Sequence, residues 1–142
     1  MHSIRLHHAV SPILLACLLA GCSTSSGGSG AGTSLVPSRS SSAQYITALQ
    51  GGIVSRSGVT IGDSDQSRAL EAEYRALEAA PGGQPVAWTG RGVSGEVVAA
   101  APYQVGSQNC RQYTHTLVSE GREAKARGAA CRNANGTWTP LS

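Results

Sequence analysis

The sequence predicts an α+β domain in residues 63–142, in which one amphipathic helix packs on a small antiparallel β-meander. Two observations support this fold class. Apolar residues recur at helical spacing over residues 64–80, and short apolar segments separated by turn residues follow them. We expect a cleavable N-terminal segment at residues 1–21, a flexible tether at 22–44 and a glycine-interrupted connector at 45–62. Removing 21 of the 142 residues leaves 121, which is enough for one small core.

The first 22 residues resemble the signal peptide of bacterial lipoproteins. A weakly basic start containing Arg5 precedes an apolar run at 9–19 and the segment Leu19-Ala20-Gly21-Cys22. The run is too short to span a bilayer. The resemblance implies cleavage before Cys22, a diacylglycerol on its sulfur and an acyl chain on the freed amine. We expect the protein to bind no cofactor. The following residue is Ser23 and not aspartate, which for Gram-negative lipoproteins implies the outer membrane. The alternative is an ordinary secretory signal or an uncleaved helix.

The tether and the connector differ in composition. Residues 23–42 are rich in serine and glycine and carry little apolar surface, so we expect a flexible spacer with an r.m.s. span of about 25 Å. In residues 45–62, apolar side chains such as Leu49 and Ile53 alternate with glycines, which interrupt any helix. We expect a short helical turn or a loop there.

The helix is predicted over residues 64–80. Asp63 and Gln66 have the spacing of a capping box, and Pro81-Gly82-Gly83 ends the apolar pattern. The large apolar residues of its inner face are Leu70, Tyr74 and Leu77. The charged residues expected on its solvated outer face are Glu71, Glu73, Arg75 and Glu78.

Five segments after the helix have strand character. They are Val86–Thr89, Glu96–Ala101, Cys110–Ser119, Arg122–Arg132 and Thr137–Leu141. Turn residues separate them at Thr89–Gly92, Glu120-Gly121 and Asn135-Gly136. The segment Ala99–Gln108, which contains Pro102 and Tyr103, reads as a loop.

Cys110 and Cys131 are predicted to form a disulfide. Cys17 leaves with the signal peptide and Cys22 carries lipid, while export places the remaining two thiols in an oxidising compartment. If Glu120-Gly121 is a two-residue hairpin loop, Cys110 lies directly opposite Cys131 in a non-hydrogen-bonded pair, where the backbones are close enough for bridging. A redox or metal role is disfavoured because the spacing is not that of such motifs.

The same register predicts which hairpin side chains share a face. One face carries an apolar set: Tyr113, His115, Leu117, Ala124, Ala126, Gly128 and Ala130. The other carries a polar set: Gln112, Thr114, Thr116, Glu123, Lys125 and Arg127. A bulge at Gly121 would break this agreement.

The residues provide no case for an enzyme. After signal removal, His115 is the sole histidine and Lys125 the sole lysine, and the carboxylates suggest no paired acid and base. A histidine on an apolar strand face is more often structural than catalytic. We expect no metal site, and a mature net charge of +2 gives no case for nucleic acid.

The two halves of the domain carry opposite charge. Residues 63–80 sum to −3 and residues 110–142 to +3. We favour attraction within the molecule over a basic patch for an anionic glycan or lipopolysaccharide. If a patch exists, its candidate contacts are Thr114, Thr116, Lys125 and Arg127.

Several short motifs together resemble the C-terminal domain of the 17 kDa surface antigen family of outer-membrane lipoproteins. They are Trp88, Gly90–Val97, Cys110–Tyr113, Gly128–Arg132 and Asn135–Trp138. The resemblance covers about residues 63–141, whereas the glycines upstream are too sparse for the glycine zipper of many members. It implies location and antigenicity more than any biochemical activity. We expect Trp88, Tyr113 and Trp138 to build the core.

Two functions follow as hypotheses. The first is a non-enzymatic, lipid-anchored protein of the bacterial outer membrane, with a structural role or with an envelope protein or glycan as its partner. The alternative is a small exported inhibitor or chaperone-like module that presents the Ala99–Gln108 loop to a protein. The sequence leaves the partner, the membrane face and the oligomeric state open.

Overall fold

The computed structural model describes residues 40–142, so the predicted signal peptide, the predicted lipidation site at Cys22 and the predicted tether up to residue 39 lie outside the described part of the chain. The described residues have the predicted α+β architecture. The helices are α1 (Ser40–Ala48) and α2 (Asp63–Glu78), with a 3₁₀ helix at Val54–Arg56 between them. The strands are β1 (Pro85–Thr89), β2 (Val93–Ala99), β3 (Tyr103–Val105), β4 (Gln108–Ser119), β5 (Arg122–Arg132) and β6 (Trp138–Pro140).

The six strands form one antiparallel sheet. Its order is β1-β2-β4-β5-β6, and β3 pairs with one end of β4. Helix α2 packs against β1, β2 and β4, which defines an inner, helix-covered face of the sheet. Tyr113, His115 and Leu117 of β4 point to this face and are buried, whereas their neighbours Gln112 and Val118 are exposed.

The β4–β5 hairpin has the predicted register. Ser119 lies opposite Arg122 and Cys110 opposite Cys131. Glu120 and Gly121 have φ angles of 51° and 74°, as both residues of a type I′ turn require. A disulfide joins Cys110 to Cys131, whose Cα atoms are 4.0 Å apart. In the chain-entropy description, closing a loop of this length stabilises the fold by about 3 kcal/mol.

The boundaries of α2 differ slightly from the prediction. The helix begins at Asp63, and its N-cap is Gly62, which has no side chain to accept a hydrogen bond. The predicted capping box is therefore not formed. Asp63 and Asp65 instead place negative charge in the first turn, where the helix dipole favours it.

The segment predicted as a connector is part of the domain. Helix α1 begins at Ser40, inside the predicted tether, and Leu49, Ile53 and Val54 are buried in the core. The glycines at 51 and 52 adopt positive φ angles and turn the chain between two packed pieces. Tyr45 of α1 also stacks on Tyr74 of α2 at a centroid distance of 4.8 Å.

Two strand assignments also change. Strand β2 begins at Val93 because the Gly90 amide donates to the Val93 carbonyl, which closes a tight turn after β1. Strand β3 lies inside the predicted Ala99–Gln108 loop, where a hairpin through Gly106 pairs Val105 with Gln108.

The core contains the predicted aromatic residues. Trp88, Tyr113 and Trp138 are all buried, together with alanines at the helix–sheet contact. None of the helices in residues 40–142 is long and apolar enough to cross a membrane.

Candidate functional site

The outer face of the sheet is the surface that α2 leaves exposed. Thr114 lies opposite Arg127 and Thr116 opposite Lys125, so the four predicted contact residues form two neighbouring cross-strand pairs. Both cationic side chains are exposed and both threonines are half-buried. The structure therefore brings these residues together, while their binding role stays a prediction.

The charge on this face is mixed. Lys125 Nζ lies 3.7 Å from Glu123 Oε1, and Glu96 lies opposite Thr116 on the other side of β4. A shallow groove of roughly 550 Å³ runs between Val98 and Arg127, across Gln112 and Thr114. Most of the groove lining is apolar, and Gln112, Thr114 and Arg127 supply its amide, hydroxyl and guanidinium groups.

A buried hydrogen-bond network between helix α2 and the inner face of the sheet links Glu73, His115 and Trp88. The Trp88 indole N–H donates to His115 Nε2 at 2.8 Å. An indole nitrogen can only donate, so Nε2 must accept and the proton must be on Nδ1. That proton is donated to Glu73 Oε1 at 2.8 Å. The geometry therefore assigns one tautomer of a neutral imidazole.

Glu73 also joins the chain before α2 to the helix. Its carboxylate accepts the backbone amides of Ile53 at 3.1 Å and Val54 at 2.9 Å. A Cβ atom at Gly52 would collide with Glu73 Oε2, and φ there is 61°. Glycine at position 52 thus leaves room for the carboxylate and permits the turn.

The network is closed to solvent. The side chains of Glu73 and His115 are both 0% exposed, which leaves no route for a substrate. Beside them, the Tyr113 hydroxyl is a buried polar atom with no hydrogen-bond partner. Burial, reinforced by the Glu73 charge, raises the pKa of Tyr113 far above its usual range, so its phenol stays neutral. The burial of His115 agrees with the prediction that this histidine is structural. The burial of Glu73 shows that the prediction of a solvated Glu73 is wrong.

Arg111 caps the carboxyl end of α2. This buried side chain donates from Nη1 to the carbonyls of Ala76, Leu77 and Ala80 at 2.9–3.0 Å. Its Nε also donates to the Ala100 carbonyl at 2.7 Å. The cation thus satisfies helix carbonyls that have no partner within the helix, at the negative end of the helix dipole. Burial lowers the pKa of Arg111 from its ordinary value.

A second clamp joins α2 to the far edge of the sheet. Arg132 donates from Nε and Nη2 to the two oxygens of Glu78, each at 2.9 Å, and Trp138 donates to Oε2 at 2.8 Å. Two of the five hairpin cations, Arg111 and Arg132, therefore face the helix. Only Arg132 pairs with an acidic side chain of the helix, so within the described residues this is the contact that joins the opposite charges of the two halves.

The Ala99–Gln108 segment contains the β3–β4 hairpin and presents two large apolar side chains. Tyr103 is 39% and Val105 is 51% exposed. Both lie in β3, and Tyr103 pairs with Cys110. Over the described residues, no group of three or more histidine, cysteine or acidic side chains is positioned to hold a metal ion.

The sequence resembles known proteins over this domain. Residues 75–139 match the family described as "17 kDa outer membrane surface antigen". The 17 kDa surface antigen of Rickettsia bellii is 39% identical over 84 residues, which cover 57% of this chain and 53% of the relative. That of Rickettsia prowazekii is 38% identical over 80 residues, or 54% of this chain and 50% of the relative. The chain spans about half the length of the curated relatives it matches. No solved structure matches the chain.

Replacing Glu73 by glutamine should destabilise the domain by about 3 kcal/mol, because an amide nitrogen would face a buried backbone donor. The matched control is Glu71→Gln, an exposed change two residues away on the same helix, which should cost less than about 0.5 kcal/mol. Urea unfolding of both variants measures the difference. Equal midpoints for the two variants would contradict the buried role of Glu73.

Removing the Glu78 charge should cost stability in a pH-dependent way. The hydrogen bonds from Arg132 are the main reason that the pKa of Glu78 lies below its usual value of 4.5. A lowered folded-state pKa stabilises the fold above about pH 4.5, and this contribution is lost as the pH falls through the folded-state pKa. Because Arg132 is partly exposed, we expect Glu78→Gln to cost only about 1 kcal/mol at pH 7.

The measurement is the free energy of unfolding of Glu78→Gln and wild type between pH 7 and pH 3. The gap between the two proteins should shrink as the solution becomes acidic. A gap that is constant or that widens towards pH 3 would show that the ion pair has no such role.

Proposed function

We propose that this chain is a non-enzymatic, lipid-anchored protein of the bacterial outer membrane, because its residues 75–139 match the 17 kDa outer membrane surface antigen family. The domain supports the envelope or binds one of its components. The relatives are named surface antigens, which favours exposure at the cell surface.

The observation that carries the proposal is Cys22 in its sequence context. A short apolar run ends in Leu19-Ala20-Gly21-Cys22, and a serine- and glycine-rich tract follows. Cleavage before Cys22 would expose an amine and a thiol for acylation. Several acyl chains on one residue exceed the two signals that durable membrane attachment needs.

The buried network supports a non-enzymatic role. His115 is the sole histidine after residue 21, and both of its ring nitrogens are engaged by Trp88 and Glu73 inside the core. A general base must reach the substrate proton that it removes, and His115 has no such access.

The outer sheet face is the surface that we propose for envelope contacts. Thr114, Thr116, Lys125 and Arg127 place hydroxyl donors beside two cations, a combination that suits the phosphates and hydroxyls of an anionic glycan. The disulfide between Cys110 and Cys131 crosses the two strands that carry these four residues. It therefore stiffens the surface that would meet the partner.

Changing Cys22 to alanine should abolish lipidation and remove the protein from the outer-membrane fraction, because the thiol is the acyl acceptor. Cys17→Ala is the matched control, since that residue lies five positions upstream in the same segment and leaves with the signal. The measurements are fatty-acid labelling and membrane fractionation in a Gram-negative host. An unlabelled wild type would reject the lipid anchor.

The second candidate is a small exported module that binds a protein through the β3–β4 hairpin. The exposure of Tyr103 and Val105 favours this candidate. Both residues lie in β3, which among the described strands pairs only with β4. Exposed aromatic side chains are common anchors of protein contacts.

Under this candidate, Tyr103→Ala should fold normally and lose a protein that the wild type captures from envelope extracts. Val118→Ala is the matched control, because Val118 is exposed to a similar degree at the opposite end of β4. Recovery of the same proteins by wild type, Tyr103→Ala and Val118→Ala would reject the hairpin as the binding element.

A further inference from the structure

Strand β5 has an open edge over residues 122–127. On that side, β6 pairs only with Ala130–Arg132, and the Leu141 amide extends the contact to the Ala129 carbonyl. No strand within residues 40–142 pairs with the rest of this edge. A strand edge with free backbone donors and acceptors is a template for another strand.

The hairpin register fixes which backbone groups are free. Ser119 and Arg122 flank a two-residue turn and therefore form a hydrogen-bonded pair, after which the pairs alternate along the ladder. Glu123, Lys125 and Arg127 thus direct their N–H and C=O groups away from β4. The bond from Leu141 to Ala129, which has the same parity, agrees with this assignment.

The side chains along this edge are complementary to their own reversed order. In an antiparallel pair of two β5 strands with Ala124 opposite Ala124, Glu123 lies opposite Lys125 of the second copy. By symmetry, Lys125 lies opposite Glu123 of that copy. Shifting the register to place Lys125 opposite Lys125 would set Glu123 opposite Arg127, but it would put like charges at the centre of the pair, which is destabilising.

The centre of this arrangement suits close approach. Ala124 would form a non-hydrogen-bonded pair with itself, in which the backbones come closest, and its side chain is a single methyl group. The side chains of Glu123 and Lys125 are 62% and 46% exposed, so both are accessible to a second copy.

We propose that the β5 edge is a homodimer interface, in which two copies pair antiparallel about Ala124 and their sheets become one. The two-fold axis is perpendicular to the sheet, so both α2 helices lie on one side and both outer faces on the other. The dimer therefore doubles the surface that carries Thr114, Thr116, Lys125 and Arg127.

Charge reversal tests the proposal. Glu123→Lys and Lys125→Glu each place like charges opposite one another in the homodimer and should weaken dimerisation about tenfold or more. An equimolar mixture of the two variants restores opposite charges at both positions. It should form a heterodimer about as tight as the wild-type dimer.

The measurement is native mass spectrometry of the full chain extracted in detergent, over a concentration series. Glu71→Lys on the exposed face of α2 is the control for net charge and should leave dimerisation unchanged. A wild type that is monomeric throughout the series, a mixture that stays monomeric, or single variants that dimerise like the wild type would each overturn the proposal.

Cysteine cross-linking locates the interface independently of affinity. Ala124→Cys should give a reductant-sensitive dimer on mild oxidation, since its Cβ would face that of the second copy. Ala87→Cys on β1, the opposite edge strand of the sheet, is the matched control and should stay monomeric. Cross-linking through position 87 but not 124 would assign the interface to the other edge and reject the proposal.

Discussion

A carboxylate sealed inside a protein needs hydrogen-bond donors for its oxygens, and Glu73 obtains them from two separate parts of the chain. The amides of Ile53 and Val54 come from the segment before α2, and the His115 imidazole comes from the centre of the sheet. Trp88 then fixes the imidazole from β1. Helix, sheet and upstream segment must therefore pack together, because displacing any of them would leave a buried polar group unpaired.

The same solution recurs at the carboxyl end of α2 with the sign of the charge reversed. Arg111 is a buried cation whose partners are backbone carbonyls of the helix end and of the chain that follows β2. Large apolar side chains are scarce, and alanine fills much of the helix–sheet contact. These polar contacts and the disulfide therefore help to hold the helix and the strands in place. The outer sheet face is consequently held on a rigid support.

Local patterns were sufficient for the elements whose partners are near in sequence. The register of the β4–β5 hairpin, the Cys110–Cys131 bridge and the shared face of Thr114, Thr116, Lys125 and Arg127 all follow from a two-residue turn and strand alternation. The helix position follows equally from its apolar period. Residue spacing therefore predicted the geometry of the candidate surface, although it could not identify a ligand.

The contacts that were missed depend on tertiary structure. Its charge alone predicts that Glu73 faces solvent, yet Glu73 lies three residues after Leu70 and four before Leu77, on the buried stripe of α2. The position of Arg111 in the apolar phase of β4 was a similar signal. The glycines at 51 and 52 interrupt the helical pattern, but they form turns that allow Leu49 and Ile53 to be buried. A two-residue turn likewise allows β3 to form within a predicted loop.

The most direct test of the buried network is the tautomer of His115, read from its ring ¹⁵N and ¹H chemical shifts by NMR in the folded protein at neutral pH. We expect a neutral imidazole with its proton on Nδ1 and a slowly exchanging Trp88 indole proton. A proton on Nε2, or a ring in fast exchange with solvent, would contradict the hydrogen-bond network around Glu73.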